Sequence, residues 1–264
     1  MAGKVKVIVL RTAGTNCDLE TVFAFKAFGA EVDNVHINKL LHQEIHLEDY
    51  HIMAIPGGFT YGDDIESGRI LANEINLHLK KEVAQFIAKK KLIIGICNGF
   101  QVLVKAGILP GNDNDDNIQN ATLTNNDSGK FEDRWTHLLV EGKGPWFQGL
   151  KKVVFFPVAH AEGKFIPKDE SVLASIEKNN QIAFRYCDEE NTLAGYPNNP
   201  NGSIKNIAGI TDKTGLILGL MPHPERHFLF TQHPFWTRLE KHETYGDGVK
   251  IFENGVVYAR ENLL

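Results

Sequence analysis

The amino-acid sequence predicts an α/β domain with a mostly parallel sheet and helices on both faces. Three observations carry this expectation. Strand and helix signals alternate through the first half of the chain. The early strands are short, almost wholly apolar runs, as buried parallel strands are. Glycine-rich turns follow several of them, where the carboxyl edge of such a sheet gathers its loops.

Val5–Leu10 is a buried-type strand, and Leu19–Phe28 carries apolar residues at helical spacing, closed by Gly29. Val32–Ile37 and Ile52–Ile55 are the next strands, the latter ending in Pro56-Gly57-Gly58. A long amphipathic helix is expected from about Ile70 to Lys90, with Ile75, Leu79, Val83, Phe86 and Ile87 inside. Leu92–Ile96 is an all-apolar strand, and Asn98–Ala106 a helix stopped by Gly107. Residues 111–117 form an Asn/Asp run without periodicity. They read as a solvated loop rather than a calcium loop, since the terminal Glu of such loops is missing. The second half is richer in short strands: Ala121–Thr124, Thr136–Val140, Val153–Val158, Gln181–Tyr186, Ile207–Thr211 and Gly215–Met221. A last helix is expected over Gly248–Arg260, with Val249, Phe252, Val256 and Val257 as its apolar face. No internal repeat or low-complexity linker interrupts the chain, so residues 1–264 are expected to form one domain, with a core over about 4–227 and an extension over about 228–264.

Composition narrows the function. With 264 residues, 42% hydrophobic and 23% charged, the chain can bury a sizeable core without staples. A formal charge of −5 argues against nucleic acid or an anionic membrane as the main partner. Lys89-Lys90-Lys91 is short and reads as a solvated helix end. The apolar runs are strand-sized, far below the roughly 20 residues a membrane helix needs. The N-terminus moves directly into a strand pattern with no signal peptide. Three widely spaced cysteines, Cys17, Cys97 and Cys187, make a disulfide framework a poor reading and a reducing cytoplasm the better one.

Leu92-Ile-Ile-Gly-Ile-Cys97-Asn-Gly-Phe-Gln101 is the most informative segment. A buried strand running into Cys97, then a glycine and a helix, describes a nucleophile elbow. Gly95 and Gly99 leave room for a side chain held in a strained position. The helix that follows turns its positive end toward the sulfur, which favours the thiolate. Its free N–H groups, beginning with Asn98, can hold an oxyanion. Cys17 also lies between a strand and a helix, but Asp18 beside it disfavours a thiolate, and Asn16 or Asp18 is explained as a helix cap. Cys187 is followed by Asp188-Glu189-Glu190 and reads as structural.

A cysteine nucleophile calls for a histidine, and the histidine for a carboxylate that fixes its tautomer. Pro222-His223-Pro224-Glu225 supplies both after an apolar strand, with the prolines keeping the backbone extended so that His223 and Glu225 share a side. His160 and Glu162, also two apart after a strand, compete, and spacing alone does not choose between the pairs. The Pro56-Gly57-Gly58 turn can offer a backbone N–H of Gly57 or Gly58 to the same oxyanion as Asn98. A phosphate loop is the usual alternative for such a turn, but no Lys-Ser/Thr follows.

PGG, then GICNGFQ, then PHPE, in that order, resembles the class I (triad) glutamine amidotransferases. RTAGTNCD, PGGFTYGDDIESGRILANE, PVAHAEGKF and YPNNPNGS narrow the resemblance to the glutaminase subunits of phosphoribosylformylglycinamidine synthases, over about Lys4 to His227. The resemblance implies a flavodoxin-like three-layer fold and a catalytic triad of Cys97, His223 and Glu225, in place of His160 and Glu162. It also implies an oxyanion hole from the 57–58 turn and the Asn98 amide, with Gln101 contacting L-glutamine. The implied function is hydrolysis of glutamine and delivery of ammonia to a partner synthetase, which uses ATP and magnesium to convert formylglycinamide ribonucleotide to its amidine in purine biosynthesis. A small accessory subunit is a further expected partner, and no cofactor is expected on this chain. Other cysteine-elbow hydrolases and chaperones of the same broad fold carry His directly after the cysteine, where this chain has Asn98. A non-catalytic binding subunit is the remaining alternative.

Overall fold

The computed structural model describes residues 3–111, 118–240 and 243–264. Most of the Asn/Asp run at 111–117 lies outside the described residues. The first half builds β1 (Lys6–Arg11), α1 (Asp18–Lys26), β2 (Glu31–His36), α2 (Asn38–Leu41), β3 (Ile52–Ile55), α3 (Arg69–Glu74), α4 (Lys80–Ala88), β4 (Leu92–Ile96) and α5 (Asn98–Lys105). The second half builds β5 (Ala121–Thr124), β6 (Glu132–Val140), β7 (Val153–His160), β8 (Lys164–Pro167), α6 (Glu170–Lys178), β9 (Ile182–Cys187), β10 (Ile207–Thr211), β11 (Ile217–Leu220) and α7 (Val249–Asn262).

Nine strands form one sheet in the order β2-β1-β3-β4-β11-β10-β9-β6-β7, while β5 and β8 pair separately. The segment β2-β1-β3-β4-β11 is parallel throughout. Its order is that of flavodoxin-like sheets, with the reversal between β1 and β3. From β11 outward the pairing turns antiparallel through β10, β9, β6 and β7. The second half of the chain thus adds an antiparallel wing to the expected parallel core. The physical difference shows in the burial. β3, β4 and β11 are buried at every residue, whereas β7 alternates half-buried and buried along its length.

The long helix expected over about 70–90 is α3 and α4 joined by a π turn at Ile75–Leu79. Leu71, Ile75, Leu79 and Val83 are all buried and spaced by four. An unbroken α-helix would rotate such a row by about 40° per step, and the wider π turn absorbs part of that drift. Helix α5 is buried at all eight positions and ends at Gly107, whose φ of +75° suits the left-handed stop. Lys91 departs from the solvated helix end expected of it. It is 9% exposed, and its ammonium donates to the carbonyls of Glu48 (2.6 Å) and Tyr50 (2.5 Å). The tail packs back on the core: Phe228 sits against Phe23 and Tyr245, and α7 meets α1 through Phe25 and Phe252 at 5.1 Å. Val257, expected on the apolar face of α7, is 37% exposed, and Ile251 and Ala259 take its place inside.

Candidate active site

Four loops meet at the carboxyl ends of adjacent parallel strands: those after β1, β3, β4 and β11. The loops after β1 and β3 are laced together where the strand order reverses. Phe59 N–H donates to Gly14 O (2.9 Å) and Tyr61 N–H to Ala13 O (2.8 Å). Asn16 and Cys17 N–H both donate to Gly57 O (3.4 and 3.2 Å). Because a trans peptide sets C=O and the next N–H on opposite sides, this turns the Gly58 N–H away from the 16–17 loop. The binding of Gly57 O therefore leaves the Gly58 N–H free of the 16–17 loop.

Cys97 sits between β4 and α5 with φ 51° and ψ −104°, a backbone conformation costly for a residue with a side chain. The chain tolerates it because both neighbours two residues away are glycines in tight quarters. A Cβ on Gly99 would stand 1.8 Å from Ile55 O, and one on Gly95 2.6 Å from Gly99 O. Cys97 N–H donates to Leu220 O (2.8 Å), tying the elbow to β11 and so to the segment that follows it. There His223 Nδ1 lies 2.6 Å from Glu225 Oε1, with both side chains buried. The tie between His223 N–H and Pro157 O (2.8 Å) fixes the backbone of that segment to β7. Gly57 is the wall between the groups: a Cβ there would meet His223 Cε1 at 2.7 Å, Cys17 Sγ at 3.1 Å and Cys97 Cβ at 3.4 Å.

Burial alone would lower the His223 pKa, but the Glu225 charge, and after it Cys97 and Cys17, raise it well above the usual histidine value. The Glu225 charge thus favours the protonated imidazole, while Cys97 Sγ lies 3.7 Å from Ala159 O and the buried His223 Nε2 meets no hydrogen-bond partner among the described residues. His160 goes the other way. Fully buried and facing His223, its pKa is lowered to about 3, so it is neutral. Its ring nitrogen Nδ1 lies 3.2 Å from Asn126 Oδ1, which also accepts from Gly163 N–H (3.0 Å). Asn126 Nδ2 is used on the carbonyls of Lys130 and His160. Asn126 Oδ1 is therefore an acceptor, and His160 carries its proton on Nδ1. Glu162 points elsewhere: it accepts from Ser67 N–H (3.3 Å) and stands 3.9 Å from Lys105 Nζ. β7 ends at His160, so the two-residue spacing no longer sets His160 and Glu162 on one side. The structure brings His223 and Glu225 together and keeps His160 and Glu162 apart.

Asn98 and Gln101 belong to a buried polar network behind the elbow. Asn98 Oδ1 accepts from the Thr60 hydroxyl (2.7 Å) and N–H (3.2 Å), while Asn98 Nδ2 donates to Asp63 (3.1 Å) and Gln101 (3.0 Å). Gln101 Nε2 donates to Glu162 O (2.6 Å). The Gln101 amide, 3% exposed, is therefore engaged within the protein. Thr60, Asp63, Ser67 and Lys105 were missed by sequence reasoning, and Glu162 was read only as a rival partner for His160. The acidic GDD after the glycine turn was the one available hint, and it does not say which side chains face inward. Cys17 is buried and touches His223 and Arg226, and no side chain caps α1, contrary to the capping expected of Asn16 or Asp18.

Sulfur, imidazole and carboxylate in sequence, at the carboxyl edge of a flavodoxin-like sheet, are the parts of a cysteine-dependent acyl-transfer site. Comparison with known proteins narrows the class. Residues 4–259 match the model of the CobB/CobQ-like glutamine amidotransferase domain. The phosphoribosylformylglycinamidine synthase subunit PurQ of Dehalococcoides mccartyi is 48% identical over 98% of this chain and 99% of its own length. That of Archaeoglobus fulgidus is 45% identical over 97% of each. A chain of the PurLQS structure from Thermotoga maritima superposes with a TM-score of 0.74 at 29% identity, covering 97% of this chain and 99% of that one. A glutamine amidotransferase from the same organism shares the fold at 14% identity, with a TM-score of 0.56 and 98% of each chain covered. The chain belongs to the CobB/CobQ-like glutamine amidotransferase family, among the phosphoribosylformylglycinamidine synthase subunits PurQ.

Proposed function

We propose that this chain hydrolyses L-glutamine to glutamate and passes the ammonia to a synthetase subunit, which uses ATP and magnesium to convert formylglycinamide ribonucleotide to its amidine. The observation that carries the reading is the strained Cys97 elbow beside the gripped His223–Glu225 pair. Cys97 thiolate attacks the side-chain amide carbon of glutamine. The oxyanion is met by the N–H groups of Gly58 and Asn98. His223 gives its Nε2 proton to the departing ammonia, leaving a thioester, while Glu225 keeps the ring oriented. Water deprotonated by His223 then attacks the thioester, releasing glutamate and restoring the thiolate. Gln101 acts from behind the elbow, steadying Asn98, and reaches substrate only if its bond to Glu162 O opens.

The PurQ relatives and the PurLQS chain support a synthetase partner. A small accessory subunit completes the assembly in this reading, and no cofactor resides on this chain. Among the described residues no helix is long and apolar enough to cross a membrane, and all three cysteines are free; both support a cytoplasmic site of action. The test is Cys97→Ala in the assembled enzyme. Glutamine-dependent amidine formation should fall by several orders of magnitude, while ammonia-dependent formation persists. A dead Cys17→Ala alongside an active Cys97→Ala would refute the assignment.

A further inference from the structure

Cys17 has no step in the chemistry above, yet it lies 1% exposed against the base. Its hydrogen-bond roles resolve fully. The thiol donates to Asn16 Oδ1 (3.2 Å), and the sulfur accepts from Arg226 Nη2 (3.1 Å). With its proton directed at Asn16, the sulfur turns lone pairs toward His223 Nδ1, 3.9 Å away. That nitrogen faces Glu225 Oε1 at 2.6 Å, so it carries a proton, shared unequally between carboxylate and sulfur. Because residue 57 is a glycine, no side chain separates Cys17 Sγ from the Cε1 edge of the ring.

We propose that Cys17 is a positioning residue for glutamine hydrolysis: its sulfur gives the His223 imidazolium a second acceptor beside Glu225 and holds the ring toward Cys97. The proposal rests on the glutaminase reading. Titratable or charged groups face His223 from four elements: Glu225 and Arg226 from its own segment, Cys97 from the elbow, His160 from β7, and Cys17 from the loop after β1; the loop after β3 presents only Gly57. His160 is neutral, and the Arg226 cation is partly balanced by Glu20 at 3.4 Å. Burial raises the Cys17 pKa, so the group acts as a neutral thiol rather than a counter-ion. Losing it should let the imidazolium release its proton at lower pH, and let the ring swing away from Cys97.

Glutamine hydrolysis by the full chain with its synthetase, followed across pH, tests this with Cys17→Val and Cys17→Ser. Valine fills the space of the sulfur without an acceptor; serine keeps a smaller acceptor. Cys17→Val should lower kcat about tenfold with KM nearly unchanged and move the upper limb of the kcat profile to lower pH. Cys17→Ser should recover most of both. Were Cys17 a mere space-filler, valine would outperform serine and the limb would stay in place; that result overturns the proposal. Should the valine variant not fold, Cys17→Ala decides the matter on the same limb. A wild-type complex that hydrolyses no glutamine would remove the glutaminase reading, and this proposal with it. An active wild type with unmoved limbs in the variants removes the proposal alone.

Discussion

His160 and His223 share one buried region and are driven in opposite directions, because only His223 has a carboxylate beside it. The stability consequence for His160 has a definite sign. Unfolded, it takes a proton near its ordinary value of 6.5; folded, it does so only near 3. Between those values the unfolded chain binds more protons, so stability is intact above pH 6.5 and is lost as pH falls toward 3. From pH 7 to pH 5 that one group should cost about 2 kcal/mol. Urea unfolding at the two pH values should show the loss in the wild type and a smaller one in His160→Leu; identical differences would contradict the assignment. At this scale the sequence was most legible for Cys97, His223 and Glu225, because strand, turn glycines and prolines dictate where they project. Spacing alone did not separate His223–Glu225 from His160–Glu162; the resemblance of the PHPE segment to the amidotransferases did. The end of β7 at His160 is set by pairing with β6, which two-residue spacing does not report.

Among the elements, the elbow is the most tightly constrained. Gly99, the second residue of α5, packs on the last residue of β3, and a methyl group there would stand 1.8 Å from Ile55 O. Neither backbone can yield without moving the nucleophile turn or the sheet. Gly99→Ala should therefore destabilise the chain by about 3 kcal/mol or more and remove activity, despite the better helix propensity of alanine. Thermal unfolding checks this, and a melting temperature equal to that of the wild type would contradict it. The buried strands β3 and β4 follow their apolar runs, Ile52–Ile55 and Leu92–Ile96. Helix α6 was not foreseen, although Val172, Leu173 and Ile176 recur at helical spacing and pack on the core. Its start was nonetheless marked by Asp169, whose side chain accepts from Val172 N–H at 3.0 Å. The π turn between α3 and α4 reflects a burial row with a period of four, which reads in sequence as an ordinary helix.

On the scale of the whole molecule, the site is nearly closed: Cys97 is 5% exposed and His223 2%. The loops after β1, β3, β4 and β11 enclose the sulfur, and the 57–63 turn is tied to Asn98 and to the loop after β1. Ammonia released without a synthetase in place would be protonated and lost. The isolated chain should accordingly be a weak glutaminase that the synthetase with its nucleotide activates. A hundredfold gain corresponds to about 2.7 kcal/mol of differential binding, well within one interface. Turnover with and without the purified synthetase measures it; equal rates and no complex on a sizing column would leave a free-standing amidase. The sequence by itself determined the parallel half of the sheet, the elbow and the order of the reactive groups, because strand burial, turn glycines and prolines act locally along the chain. Only the tertiary structure decided that Glu162 turns to Ser67 and Lys105 rather than to His160, that the Gly58 N–H turns away from the 16–17 loop, and that Cys17 lies against the base. Each of those depends on segments distant in the chain meeting, across separations of up to 206 residues, and strand order is a property of the folded sheet.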